Sequence, residues 1–181
     1  MLRVQRDDAA SFGDLLTRNR GRVVQYLGRM VKNRAIAEEL AQDVFVRVYR
    51  SRHAWVPTAK FSTWLFRITT NVALNHFRNE RHRSADFSLN QRRTEGVESL
   101  DVRGELRDHS PLIEEQLVFD SLAARVREAI QGLPLKQRAA VVMHKYDELD
   151  YGQIAAVLGC SPAAVKALMF RAYETLRARL Q

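Results

Sequence analysis

The stretch YGQIAAVLGCSPAAVKALMFRAYETLRARL, residues 151–180, carries a full set of helix punctuation. Asp150 stands just ahead of it with Gln153 three residues on, the pattern of a capping box. Gly159 closes the first run, because a residue without a Cβ enters the left-handed backbone at no steric cost. Ser161-Pro162 opens the second: a capping hydroxyl, then a proline at the first helical position, where its missing N–H is no loss. A short helix, a tight turn and a longer helix to Leu180 make a helix-turn-helix pattern, in which a rigid angle lets the second helix project into a DNA major groove.

At about 100° per residue the second helix splits into two faces. Val165, Leu168, Met169, Ala172, Leu176 and Leu180 form a packing face. Lys166, Phe170, Arg171, Glu174 and Arg177 form an outer face, beside the small Ala163 and Ala167. Small residues permit close approach to DNA, and cations take phosphates or guanine edges. The competing reading is an ordinary helical hairpin with a solvated basic face. Phe170 argues against it, since an aromatic ring on a polar face is costly to expose without a partner. Cys160, in the turn, reads as a structural thiol.

Outward from this stretch, the 181-residue chain allows one ordinary domain or two small ones. Only 8 Gly and 4 Pro, with 46% hydrophobic residues, lean towards an all-α fold. A net charge of +8 points to a polyanionic partner, nucleic acid or an anionic membrane surface. The charge is uneven. Lys and Arg against Asp and Glu count 16 to 7 over residues 1–84, 4 to 8 over 85–117 and 9 to 6 over 118–181. The polar middle lacks an apolar period, so the chain divides into a helical domain (1–84), a flexible acidic linker (85–110) and a second helical domain (111–181). Within the second, helices are expected from Ser110-Pro111 to Gln131 and from Leu133-Pro134 to about Lys145, ahead of the helix-turn-helix.

In the first domain, helices are expected over Asp14 to Val31, over Ala35 to Tyr49, and from Ser62 to about Glu80, the last two separated by a loop broken at Pro57. No acid stands between Val44 and Asn79. On the third helix, Trp64, Arg67, Asn71, Asn75 and Arg78 fall in one stripe, broadly opposite Leu65, Phe66, Ile68, Val72, Ala73 and Phe77. A ring for an unstacked base, amides for base edges and arginines for phosphates make the chemistry of a single-strand binder. Trp64 has a second reading, packed against the edge of the core. The second helix carries Glu38, Glu39, Gln42, Asp43, Arg47 and Arg50 around a stranded Val46, a patch suited to a protein partner or to solvent.

Catalysis finds no footing. The histidines at 53, 76, 82, 109 and 144 make no i, i+4 ligand pair, and a lone cysteine makes no metal cluster. There is no phosphate-cradling glycine loop and no nucleophile signature. The expectation is a protein with no catalytic residues, no metal and no cofactor. One cysteine, no apolar run of signal-peptide length and no stretch of about 18 apolar residues predict a cytoplasmic chain without membrane insertion.

Taken in order, AEELAQDVFVRVYR (37–50), KFSTWLFRITTNVALNHFRNERHR (60–83) and the segment from Leu133 to Leu180 resemble a bacterial RNA polymerase sigma factor of the extracytoplasmic-function (ECF) class. The resemblance implies that Glu39, Gln42 and Asp43, with Val46 among them, dock on the β′ clamp helices of core polymerase. It implies that Trp64, Arg67, Asn71 and Asn75, continued by Arg78, meet the −10 element as single strand. The loop from Trp55 to Phe61, including Lys60 and Phe61, would capture a flipped base, whose unstacking cost of a few kcal/mol a fitted pocket repays. Lys166, Phe170 and Arg171, with Arg177, would read the −35 element as duplex. Implied partners are core polymerase (β′ clamp helices and β flap), promoter DNA and an anti-sigma factor, with the linker threading basic polymerase channels. Two departures stand out. Ala167 and Leu168 stand where the family often has a polar or basic residue, which leaves the share of −35 sequence read directly, rather than through DNA shape, open. The loop WVPTAKF lacks the usual Gly and Asp. A stand-alone helix-turn-helix regulator is the alternative, but it leaves the acid-free aromatic helix unexplained.

Overall fold

A computed structural model describes residues 1–57, 60–90 and 113–181. Seven α-helices make up the described chain: α1 (Ala9–Val31), α2 (Arg34–Arg50), α3 (Phe61–Asn90), α4 (Ile113–Gln131), α5 (Leu135–Tyr146), α6 (Tyr151–Leu158) and α7 (Pro162–Leu180). Two single 3-10 turns, Val4–Arg6 and Arg52–Ala54, flank α1 and α2. The expected all-α fold is present, with no strand among the described residues.

The punctuation read from the sequence does its work. The Asp150 carboxylate accepts from Gln153 N–H at 2.8 Å and the Gln153 side chain accepts from Asp150 N–H at 3.0 Å, closing the capping box. Gly159 takes φ 64°, and the Ser161 hydroxyl accepts from Ala164 N–H ahead of Pro162. Between α1 and α2 the chain turns in two residues: Lys32 is left-handed, and the Asn33 side chain accepts from Ala35 and Ile36 N–H.

Three boundaries differ from expectation. α1 begins five residues early at Ala9, because the Asp8 carboxylate caps it by accepting from Ser11 N–H at 3.0 Å. α3 runs past Glu80 to Asn90, into the stretch read as linker; a basic, polar tail has no apolar period to announce it. α5 starts at Leu135, since Pro134 serves as its cap. Residues 91–110 and the expected start at Ser110-Pro111 lie outside the described residues.

The N-terminal half packs α1, α2 and α3 around Tyr26, Leu27, Met30, Val44, Val48, Leu65 and Phe66, all almost wholly buried. Each such side chain contributes roughly 1.5–3 kcal/mol. The C-terminal half packs α5, α6 and α7 around Met143, Ile154, Val165 and Met169.

The halves are not apart. α6 lies along α3 and α5 along α1, and the two cores join into one cluster. The seam is polar where the cores are not. Arg138 on α5 donates to the Met30 carbonyl at 2.6 Å, and the Gln131 amide donates to the Arg29 carbonyl. These are last-turn carbonyls of α1, which have no partner within their own helix. The second half thus caps the C-terminal end of α1, and a guanidinium at that negative end adds a favourable charge. Arg22 donates to the Asp147 carbonyl at 2.8 Å and lies 3.5 Å from its carboxylate. The Arg29 guanidinium sits 4.2 Å above the Tyr146 ring, and that of Arg138 lies 5.5 Å from the Phe77 ring.

Candidate nucleic-acid interface

α2 turns Ala37, Ala41, Val44, Phe45 and Val48 inward, which leaves Glu39, Gln42 and Val46 exposed and Asp43 half-buried. The Asp43 carboxylate is already engaged: Arg47 Nε donates to both of its oxygens, at 3.1 and 3.0 Å. Val46 is 46% exposed. It borders a groove of about 370 Å3 between α1 and α2, lined by Phe12, Leu16, Ala41, Phe45 and Tyr49. Phe12 meets Tyr49 edge-on at 5.0 Å. Sequence reasoning found the rim but not the groove, because Phe12 and Leu16 come from another helix. The available signal was their i, i+4 spacing.

On α3 the buried side is Leu65, Phe66, Val72 and Ala73, with Ile68 partly covered. Thr69 and Thr70 are buried as well; Thr69 bonds back to the Leu65 carbonyl and Thr70 meets the Tyr26 hydroxyl at 2.9 Å. Of the predicted stripe, Arg67, Asn71 and Arg78 are exposed, while Trp64 and Asn75 are half-buried. Trp64 packs against the edge of the core and its ring lies 6.0 Å from that of Phe61, so part of it is structural and part remains on the surface. Lys60 is exposed beside the half-buried Phe61. The stripe's end is strongly basic, with Arg78, Arg81 and Arg83 exposed and Glu80 turned to His76 at 3.4 Å.

α6 and α7 meet at 99°, in the range of a helix-turn-helix. Val165, Met169 and Ala172 are buried, whereas Leu168, expected on the packing face, is only half-buried. Lys166, Phe170, Arg171 and Arg177 are all exposed. Phe170, at 63%, is the most exposed large apolar side chain among the described residues. Exposed basic and aromatic side chains on one face and a buried opposite face hold α7 rigidly, with that outer face turned to solvent.

His144 is occupied within its domain, its Nδ1 lying 3.0 Å from the Leu149 carbonyl. Among the described residues no three His, Cys, Asp or Glu side chains gather as a metal site, and no single helix is long and apolar enough to cross a membrane. One residue that sequence reasoning missed is Gln5, whose amide reaches the Arg52 and Trp55 carbonyls beneath the loop that carries Lys60.

Residues 15–83 match the family model of Sigma-70 region 2, and residues 123–176 match that of Sigma-70, region 4. The chain is 35% identical to the RNA polymerase sigma factor CarQ of Myxococcus xanthus, over 92% of this chain and 87% of that one. It is 30% identical to the ECF RNA polymerase sigma factor SigW of Bacillus subtilis, over 98% and 93% respectively. Among solved structures it is similar to the sigma factor RpoE of Bartonella quintana in complex with the anti-sigma factor NepR. The TM-score is 0.72 and the identity 20%, covering 94% of this chain and 96% of that one, a likeness of fold.

Proposed function

This chain belongs to the sigma-70 family, in its extracytoplasmic-function class, and from that premise we propose how its surfaces divide the work of promoter-specific initiation. Glu39, Gln42, Asp43 and Val46, with the apolar groove beside them, form the docking face for core polymerase. Lys60, Phe61, Trp64, Arg67, Asn71, Asn75 and Arg78 grip one strand of the −10 element. Lys166, Phe170, Arg171 and Arg177 meet the −35 element as duplex. The chain acts as a non-catalytic specificity subunit in the cytoplasm. An anti-sigma partner follows from the company its structural neighbour keeps. The observation that carries the assignment is that each patch lies on the outer side of a helix whose opposite side is fixed in a core.

The two DNA elements differ by about 25 base pairs in name, which at ~3.4 Å per pair is roughly 85 Å of duplex. α3 and α7 share one cluster of buried side chains and cannot reach both ends of that distance together. The 22 residues between Asn90 and Ile113 reach at most about 3.6 Å each, roughly 80 Å in all, so separated halves can approach the span. The packed arrangement is accordingly the form that precedes promoter engagement. We divide the chain into 1–84, 85–110 and 111–181 on this basis, with the end of α3 projecting into the connection.

The test is co-elution with core polymerase followed by mapping of transcript starts. Binding at micromolar concentration and starts at a defined distance from a shared −10 and −35 pair support the assignment. Absence of core binding overturns it in favour of a stand-alone DNA-binding regulator. Asp43→Arg should weaken co-elution without unfolding the chain, and undiminished co-elution would return the acidic patch to solvent.

A further inference from the structure

We propose that Gln5 is a positioning residue for −10 recognition. Its amide clamps the root of the loop that carries Lys60 and, through a row of three rings, sets how Trp64 is presented to the strand. The proposal rests on the assignment of α3 and its loop to the −10 element.

Gln5 belongs to the 3-10 turn Val4–Arg6, which precedes the segment matched to region 2. Its single nitrogen has two protons, and the structure supplies two acceptors. Gln5 Nε2 donates to the Arg52 carbonyl at 2.9 Å and to the Trp55 carbonyl at 2.7 Å. Both carbonyls lie just beyond the end of α2, in the turn Arg52–Ala54 and the extended residue after it, where the backbone has no further helical turn to bond to. One side chain thus ties two points of the loop root, from residues 47 and 50 positions away in sequence.

The turn that carries Gln5 is itself held on both sides. Val4 is buried at 1% exposure. Asp7 adopts φ 63°, a left-handed conformation that an L-residue enters at a cost, and its carboxylate accepts from Arg52 Nε at 2.9 Å. Arg52 also donates to the Tyr49 carbonyl at 2.9 Å and stacks 4.3 Å above the Tyr49 ring. Apolar anchor, amide clamp and ion pair therefore converge on residues 49–55.

From Trp55 the geometry is relayed by rings. Trp55 is buried; its ring meets Phe61 edge-on at 6.5 Å, and Phe61 lies 6.0 Å from Trp64. Aromatic pairs at these separations hold a preferred mutual orientation. A shift of the Trp55 backbone consequently tilts Phe61 and, with it, the exposed part of Trp64. Holding the loop root at Arg52 and Trp55 before the base arrives also lowers the ordering entropy that base capture must overcome.

The experiment uses the full chain in holoenzyme with core polymerase, on a promoter series with each base substituted in turn at every −10 position. Gln5→Met keeps the side-chain length and removes both donors. It is expected to flatten the preference for the best −10 base by about tenfold, as loss of two neutral hydrogen bonds would. Core affinity and the −35 preference should not change. Gln5→Lys, which returns a multi-proton nitrogen on a flexible stem, is expected to recover most of the preference. An unaltered −10 profile in Gln5→Met overturns the clamp. So does an equal loss of −35 preference, or a loss that Gln5→Lys does not restore, since either marks general destabilisation. A native holoenzyme with no base preference at −10 would remove the underlying assignment as well, and that is visible before any variant is compared.

Discussion

The interior of the N-terminal half and the seam between the halves bury different chemistry. Inside the half, Tyr26, Leu27, Met30, Leu65 and Phe66 meet as hydrocarbon, and the hydroxyl among them is paired: that of Tyr26 has Thr70 at 2.9 Å. Burial holds that phenol well above its ordinary range. Along the seam lie a buried guanidinium, Arg138, and a buried carboxylate, Asp147. Arg138 Nε and Asp147 Oδ2 find no partner among the described residues. Hydrocarbon burial is a net gain for every group enclosed, whereas burying charges sets desolvation against contact and leaves a small remainder. The carbonyls that the seam satisfies, at Arg29 and Met30, lie at a helix end that water serves once the halves part. Cohesion within the half is therefore strong, and adhesion between the halves is replaceable.

The largest effect should come from the interior. Phe66→Ala is expected to cost about 3–5 kcal/mol, as truncation of a fully buried aromatic does, and to lower the urea midpoint of the N-terminal half. Arg138→Ala breaks the seam instead. The uncapped Met30 carbonyl makes a loss of about 1–3 kcal/mol the expectation, read mainly as a larger radius of gyration in solution scattering. An equal fall in the urea midpoints of both variants would show that seam and interior are alike.

A smaller effect should follow pH. Burial pushes the Asp147 carboxyl from 3.8 up to about 6, against the opposing pull of Arg22 and Arg29. The packed form then holds the proton more firmly than the open form. Adhesion strengthens as pH falls from 7 through 6 towards 4, and it is weakest above 7. Tyr26, which also faces Asp147, stays neutral throughout this window. Scattering at pH 7.5 and 5.5 should show the more compact chain at the lower value, and Asp147→Asn should abolish the difference. A native chain of constant size would remove Asp147 from the seam's balance. The smallest stability change belongs to neither region. Phe170→Ala, on the exposed face of α7, should shift stability by no more than about 0.5 kcal/mol while weakening binding to −35 duplex. A large stability loss would mean the ring packs on protein.

What the sequence disclosed was local. Capping residues act within four positions of themselves, so Asp150, Gln153, Gly159, Ser161 and Pro162 placed α6 and α7 in advance. Helical projection likewise separated Val165 and Met169 from Phe170, and Leu65 and Phe66 from Arg67. The seam had no such signal. Arg138 sits in an amphipathic helix and looks like any solvated arginine, because its partner carbonyl at Met30 is 108 residues away. Gln5 was hidden for the same reason: a three-residue turn has no period, and its acceptors are set by tertiary contact. Trp64 fell between two readings because it sits on the border of core and surface, where projection cannot assign it.

The shared core has a bearing on any affinity measured with the isolated chain. A form that must open before both elements are engaged binds with its intrinsic strength multiplied by the open fraction. If one molecule in a hundred is open, the apparent Kd for a complete promoter is weakened about 100-fold, although each reading face on α3 and α7 is intact. Single-element DNA would escape most of that discount wherever its face stays uncovered, as Phe170 and Arg171 do. On the proposed division of the DNA contacts, the packed chain would behave as two weak readers, and whatever holds it open would turn them into one bivalent ligand whose second contact is made at high effective concentration.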